Sequence, residues 1–174
     1  MEFDIYKYIP KKEIKNAAVF SGIFIFATAA LWIISVFVSN FKAIYLFSGV
    51  ITATAAIQIT MRFIMSGYIY ILDKMDFIVF RANGKKSVQV CKISLENSIA
   101  VADKNKKMSD IEKQFGKMAV KINLCQNLFS HKAYSYIFNF DGKKSLIKFE
   151  GDEKFIAEMK RRIEYATIQF TFEN

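Results

Sequence analysis

Cysteine and histidine are scarce in this chain of 174 residues, which contains two cysteines and one histidine. Cys91 and Cys125 form no Cys-x-x-Cys pair, and a small secreted domain held by disulfides needs a denser framework. His131 has no second histidine and no cysteine cluster at metal-ligand spacing. We therefore expect free thiols in a reducing cytoplasm and no metal site.

The sequence motifs of catalytic sites are also missing. No Gly-x-Gly-x-x-Gly run occurs, and the Gly-Lys-Lys-Ser sequence at 84–87 lacks the upstream glycine and the following helix of a Walker A motif. A nucleophile pair of Cys125 and His131 has no local family signature around it. The sequence predicts a protein that is not an enzyme and that needs no cofactor.

Charged residues are almost absent between Ala17 and Leu72, where only Lys42 and Arg62 occur. The whole chain is nevertheless 24% charged, with a formal net charge of +9. Such an uneven distribution predicts that this block lies in a different solvent from the remainder, namely the hydrocarbon of a lipid bilayer.

The uncharged block divides into two apolar segments, residues 17–38 and 43–65, separated by a short turn. At about 1.5 Å per residue, each helix would be long enough to cross a hydrocarbon core of about 30 Å. Arg62 lies near the end of its segment, from which its long side chain can reach the headgroups. A signal peptide has a shorter apolar run, and a chain of this size is too small to bury two wholly apolar helices. We predict a transmembrane helical hairpin over residues 17–66.

Small residues recur at helical spacing on both predicted spans. They are Gly22 and Ala29 on the first span and Gly49, Ala53, Ala56 and Thr60 on the second. Small side chains let helix backbones approach each other closely in lipid, where no hydrophobic force drives them together. This seam would either close the hairpin on itself or join copies of the chain in a homo-oligomer, and the sequence leaves both interpretations open.

Basic residues flank the predicted hairpin unequally. The N-terminal segment, residues 1–16, contains four lysines, whereas the turn between the spans contains only Lys42. Further lysines and arginines follow the second span. By the positive-inside rule, we expect an integral protein of the cytoplasmic membrane with both termini in the cytoplasm.

After Gly67 the helical runs give way to short segments in which apolar and polar residues alternate. Strands are predicted at residues 68–72, 77–81, 86–93, 99–102, 117–124, 133–140 and 144–150. Turns are predicted at Asn83-Gly84 and Asp141-Gly142. In the segment 117–124, Met118, Val120, Ile122 and Leu124 share one face of the predicted strand, and Lys117, Lys121 and Asn123 share the other.

Two helices are predicted in the same region. Ser109 and Glu112 have the spacing of a capping box before a short helix, and Asp152 can cap a longer C-terminal helix. Residues 67–174 are thus predicted to form an α+β domain of about seven antiparallel strands and one C-terminal helix. A curved sheet or a partly open barrel, covered by that helix, is the simplest packing.

This order of elements resembles the pleckstrin-homology superfold. The sequences Tyr-Ile-Tyr-Ile-Leu-Asp-Lys-Met-Asp-Phe-Ile-Val-Phe-Arg at 68–81 and Ile-Ser-Leu-Glu-Asn-Ser-Ile at 93–99 are similar to those of bacterial membrane-anchored proteins of that type. In those proteins apolar helices precede the same kind of domain, and the resemblance covers about residues 20–168. It implies a binding or scaffolding module and supplies no catalytic residues.

Lysines cluster in the predicted turns of this domain. The candidate contact residues are Lys85, Lys86, Lys104, Lys106, Lys107, Lys143 and Lys144. Near an anionic leaflet each basic residue contributes about 1 kcal/mol of attraction. The clusters would contact lipid headgroups or a protein partner, or would be ordinary solvated surface. Nucleic acid is not an expected partner, because the clusters are dispersed and no recognition motif accompanies them.

Together these features predict a membrane-anchored binding, scaffolding or regulatory module. Its cytoplasmic domain would contact a protein partner of unknown identity or anionic lipid headgroups. Two alternatives remain open, a small membrane protein of immunity or stress response and an accessory subunit of a transporter complex.

Overall fold

The computed structural model describes residues 3–172, and it combines four helices with two four-stranded sheets. The helices are α1 (Ile14–Phe37), α2 (Lys42–Ile59), α3 (Met108–Phe115) and α4 (Glu153–Phe172). The strands are β1 (Tyr6–Tyr8), β2 (Ser66–Asp73), β3 (Asp76–Asn83), β4 (Lys86–Ser94), β5 (Ser98–Ala102), β6 (Val120–Asn123), β7 (Ala133–Phe140) and β8 (Lys143–Glu150). The predicted class of helices plus sheet is therefore confirmed.

The chain forms two compact units. The first, here called the sheet unit, contains the residues through Lys11, residues Tyr68–Gln126 and the chain from Ser130 onward. The second, here called the helix unit, contains Lys12–Gly67 and Asn127–Phe129. The first residues of the chain thus group with the sheets, where the sequence suggested a separate N-terminal segment.

Eight strands are present in the described residues, one more than the sequence predicted. The additional strand is β1, which pairs antiparallel with β2 so that Tyr6 lies opposite Leu72 and Tyr8 opposite Tyr70. Its three residues carry too little alternation to be recognised alone, and the strand exists because β2 offers it an edge. The helix unit is consequently inserted in the chain between two strands that pair with each other.

The strands are also not all antiparallel. In the second sheet the order is β5-β7-β8-β6, and β6 pairs parallel with β8. The tight hairpin of β7 and β8 places β8 between β6 and β7, so β6 finds a neighbour that runs in its own direction. A 3₁₀ turn at Leu95–Asn97, with Leu95 buried, carries the chain from the first sheet to the second.

The segment between β5 and β7 differs from its prediction in two local features. The predicted strand 117–124 is shorter in the structure, where β6 covers Val120–Asn123. Met118 and Leu124 are buried, whereas Val120 and Ile122 are exposed on this short edge strand. The capping box is also absent: α3 starts after Lys107 without a side-chain cap. Glu112 instead accepts hydrogen bonds from the Met118 amide and, in an ion pair, from Lys121.

The main core lies between the two sheets and α4. It is aromatic, and its fully buried side chains include Tyr70, Phe77, Tyr136, Phe149 and Phe155. Asp152 Oδ1 accepts a hydrogen bond of 2.7 Å from the Phe155 amide, so the predicted N-cap of α4 is confirmed. The cap fixes the start of the helix whose apolar face closes the core.

Arg162 on α4 is the largest fully buried side chain, with 1% of its surface exposed. Its guanidinium donates hydrogen bonds to Glu158 Oε1 at 2.7 Å, to the Lys74 carbonyl at 2.8 Å and to the Asp4 carbonyl at 2.6 Å. One side chain therefore joins α4 to the β2–β3 turn and to the N-terminal residues of the sheet unit.

In the helix unit, α1 and α2 are long and apolar enough to cross a membrane, and a π-helical turn at Thr60–Met65 extends α2. Only 17% of the most apolar stretch of α1 and 11% of that of α2 is buried. Such exposure differs from that of a core helix in a soluble protein. α1 begins at Ile14, three residues before the predicted start.

Candidate binding surfaces

Two hairpin tips of the sheet unit carry exposed lysines. Between β3 and β4 the turn residues are Gly84 and Lys85, and Gly84 has a φ of +60° that suits glycine. Lys86 begins β4 directly after this turn, at the predicted start of the strand, although the turn lies one residue later than the predicted Asn83-Gly84. The backbone thus puts Lys85 and Lys86 at the end of a two-stranded projection whose side chains are mostly exposed.

The second tip joins β7 to β8. Asp141 and Gly142 both have positive φ, at 48° and 70°, which is the geometry of a type I′ hairpin turn. Lys143 follows the turn, opposite Phe140, and is exposed. None of the ion pairs found in residues 3–172 includes Lys85, Lys86 or Lys143.

Two other predicted contact lysines are engaged inside the domain. The Lys144 ammonium donates to the Phe115 carbonyl at 2.8 Å, where it satisfies the C-terminal end of α3. Lys106 donates to Gln114 Oε1 at 2.6 Å, also against α3. Lys107 is the exposed residue immediately before this helix, and Lys104 lines a small polar pocket with Lys132 and Tyr134. These four lysines therefore lie around α3 and a polar pocket, rather than at the turn positions of Lys85, Lys86 and Lys143.

Within the helix unit, the buried positions of α1 are one residue away from the predicted small residues. Gly22 and Ala29 are exposed, whereas Ser21 and Thr28 are buried and bond to α2. Ser21 Oγ lies 2.8 Å from Thr60 Oγ1, and Thr28 Oγ1 lies 2.8 Å from Thr52 Oγ1. Hydroxyl pairs at heptad spacing thus join the two helices, as interhelical hydrogen bonds do in lipid.

On α2, Gly49 and Ala56 are buried between the helices. A Cβ atom at Gly49 would overlap the indole ring of Trp32, so the close approach of α1 requires glycine there. Ala29, Ala53 and Thr60 line an apolar groove of about 410 Å³ along one side of the hairpin. The predicted stripe on α2 therefore contributes to contact with α1 along part of its length.

The sheet unit also has a surface that the sequence did not indicate, an open apolar cleft between β4 and β6. Its volume is about 240 Å³, and it is lined by Cys91, Lys92 and Ile93 of β4, Val120 and Ile122 of β6, Phe138 and Phe140 of β7, and Ser145 and Ile147 of β8. Both β4 and β6 are terminal strands of their sheets, so the cleft lies where the two sheets fail to join. The alternation of Val88 with Val90, and of Val120 with Ile122, was the available signal, but alternation alone does not show whether an apolar face is covered.

The cysteine in this cleft is not activated. Burial raises the pKa of the Cys91 thiol to about 11, so almost none of it is thiolate near neutral pH. Cys125 is buried, and His131 lies in an exposed loop. No group of three His, Cys, Asp or Glu side chains suited to a metal ion occurs in the part of the chain that is described. The absence of catalysis and of a cofactor stays a prediction.

Comparison of the chain with protein-family models, with curated proteins and with solved structures finds no match.

Proposed function

We propose that this protein is a non-enzymatic, membrane-anchored binding module whose cytoplasmic sheet unit, of pleckstrin-homology-like type, rests on anionic lipid headgroups through its two hairpin tips. Lys85, Lys86 and Lys143 make the contact. The observation that carries the proposal is their common placement: each is exposed, each lies at a glycine-containing turn, and none belongs to an ion pair described for residues 3–172.

The membrane part of the proposal rests on α1 and α2, which cross the bilayer as a hairpin. The pairing of β1 with β2, which flank the hairpin in sequence, supports a topology in which the chain enters and leaves the hairpin on one side of the membrane. The excess of basic residues in the flanking segments favours the cytoplasm as that side. β2 begins at Ser66, directly after the last helical residue, so no long linker separates the strand from the membrane segment.

The expected strength of the lipid contact follows from its three charges. At about 1 kcal/mol for each lysine, the tips contribute about 3 kcal/mol, which is screened beyond a Debye length of about 8 Å. Such an attraction is weak for recruiting a free domain but sufficient to orient a tethered one. The anchoring helices supply the attachment, and the lysines supply the orientation.

The test uses the full chain in nanodiscs, with a fluorophore at a Ser87→Cys substitution beside the first tip and both native cysteines replaced by alanine. Headgroup-attached quenchers should quench the fluorophore in anionic discs, and less in neutral discs or at high salt. The triple variant Lys85→Glu, Lys86→Glu, Lys143→Glu should lose most of the quenching that depends on anionic lipid.

The control variant reverses three other exposed lysines, Lys113, Lys117 and Lys154, so the change in net charge is the same. It should retain the quenching of the unmodified tips. Equal quenching in neutral and anionic discs, or an equal loss in both triple variants, would contradict specific headgroup contact by the tips.

A further inference from the structure

We propose that the cleft between β4 and β6 binds an extended segment of a partner protein, with alternating apolar side chains and acidic flanks, which adds as a strand to the free edge of β4. This inference extends the proposed binding function to a second surface, which shares Lys86 and Lys143 with the hairpin tips, and it is tested in neutral discs, where these lysines have no anionic lipid to contact. The juxtaposition that carries it is a free strand edge beside an apolar cleft with a basic border.

Three of the side chains that line this cleft are large, apolar and exposed. They are Val120 and Ile122 of β6 and Phe140 of β7, and Phe140 is 61% exposed. Val88 and Val90, on the part of β4 that leads to the cleft, are exposed as well. Exposed apolar side chains that line a cleft of a folded domain indicate a surface that is covered in the functional state.

The strand edges explain why the occupant should be a peptide. β4 has nine residues and is a terminal strand of its sheet, and β6 is terminal in the other. In the described chain neither strand pairs with another strand on its second side. The unpaired backbone groups of such an edge form hydrogen bonds with an added strand, and alternate side chains of that strand enter the neighbouring pocket. A lipid chain would use the apolar lining but not the backbone groups.

Charge determines the chemistry of the partner. β4 and β6 contain Lys86, Lys92 and Lys121 and no acidic residue, and Lys143 begins β8 nearby. Asp76 and Glu112 neutralise two of these, Lys92 and Lys121, through ion pairs of 2.9 and 2.7 Å. The border remains basic, which favours Asp or Glu beside the apolar positions of the ligand. A second copy of this chain would bring two lysine-bearing edges together and is therefore disfavoured.

The experiment screens a library of random peptides, each about as long as β4, for binding to the full chain in neutral nanodiscs. Peptides that also bind empty discs are removed from the selection. Enriched peptides should combine alternating apolar residues with Asp or Glu. Cys91 reports occupancy because it lines the cleft, whereas the buried Cys125 is an internal control. Bound peptide should slow alkylation of Cys91 by about tenfold or more at saturation and leave Cys125 unchanged.

Two substitutions test the location without touching the hairpin-tip lysines. Ile122→Lys in β6 and Phe140→Lys in β7 should each weaken binding of the selected peptides by about tenfold or more, because both side chains line the cleft. Ile168→Lys, on an exposed apolar residue of α4 outside the cleft, should leave the affinity unchanged. The variant Phe140→Lys serves if Ile122→Lys fails to fold, since Phe140 is largely exposed.

Three results would overturn the inference. The first is a selection that yields no peptide above empty discs. The second is undiminished affinity in both cleft variants. The third is protection of Cys91 by a free fatty acid but not by any selected peptide, which would assign the cleft to lipid. If no peptide binds but the hairpin tips still contact anionic headgroups, this inference alone is rejected and the proposed function is unaffected.

Discussion

Removing the guanidinium of Arg162 should destabilise the sheet unit far more than removing that of its neighbour Arg161. Both arginines bind Glu158, at 2.7 Å and 2.9 Å, but Arg162 is 1% exposed whereas the side chain of Arg161 is 57% exposed. The buried arginine also satisfies two backbone carbonyls, those of Lys74 and Asp4. The pair of substitutions therefore separates a buried ionic network from a surface ion pair with the same acidic partner.

The magnitudes follow from these environments. Removal of one partner from a buried ion pair costs about 3–5 kcal/mol, because the remaining charge and the carbonyls are left without donors. Glu158 retains some solvent exposure, so we expect Arg162→Ala to lie near the lower end, at about 3 kcal/mol. Arg161→Ala should cost at most about 1 kcal/mol, as for exposed ion pairs generally.

Hydrogen exchange of the full chain in detergent measures the difference. Core amides of β2 and β3 should exchange about two orders of magnitude faster in Arg162→Ala, because each 1.4 kcal/mol corresponds to a factor of ten. In Arg161→Ala they should change by less than about a factor of five. Equal acceleration in both variants would refute the claim that the buried hydrogen bonds of Arg162 hold the unit together.

The same network makes a pH prediction. Burial would raise the pKa of Glu158, but the hydrogen bonds from Arg162 and Arg161 outweigh it and lower that pKa below its ordinary value of 4.5. A depressed carboxyl pKa contributes stability at pH values above the unfolded pKa, and this contribution is lost as the pH falls through the folded value. Unfolding measured from pH 7 to pH 3 should show this loss, and Glu158→Gln should diminish it; an unchanged pH profile would contradict it.

Two further predictions concern the helix hairpin and the cleft. Gly49→Ala should destabilise the hairpin by about 1–3 kcal/mol in thermal unfolding, because the added Cβ meets Trp32. Gly22→Ala has open space around its Cβ and should be neutral or slightly stabilising. Equal effects of the two substitutions would contradict the packing of the hairpin. Cys91 should react with a maleimide at pH 8 about a hundredfold more slowly than a thiol of pKa 9.0, because burial raises the pKa of Cys91 to about 11. A reaction rate like that of a free thiol would contradict this environment.

Much of the fold could be predicted because its elements are periodic over many residues. The two helices were visible as long runs without charge, and β7 coincides with the predicted segment 133–140 because alternation over eight residues is a strong signal. β1 could not be found in the same way. Its three residues form a strand through pairing with β2, across an insertion that contains the entire helical hairpin.

The candidate surfaces were predicted less completely, for reasons that also lie in tertiary structure. The glycine turns correctly indicated exposed tips at Lys85 and Lys143, since local turn geometry fixes them. The hydrogen bond of Lys144 to the end of α3 joins residues far apart in sequence, so no local pattern could show it. The cleft was missed because alternation in residues 117–124 shows that one face is apolar but not whether another layer covers it.

The membrane topology of the helical hairpin in intact cells tests the proposed function most directly. In a chain with both native cysteines replaced by alanine, a cysteine at Asn40, between α1 and α2, should react with a membrane-impermeant maleimide. A cysteine at Lys113, on α3 of the sheet unit, should react only after the membrane is permeabilised. Reaction of Lys113→Cys from outside, or failure of Asn40→Cys to react until the cells are opened, would contradict a hairpin that anchors a cytoplasmic binding domain.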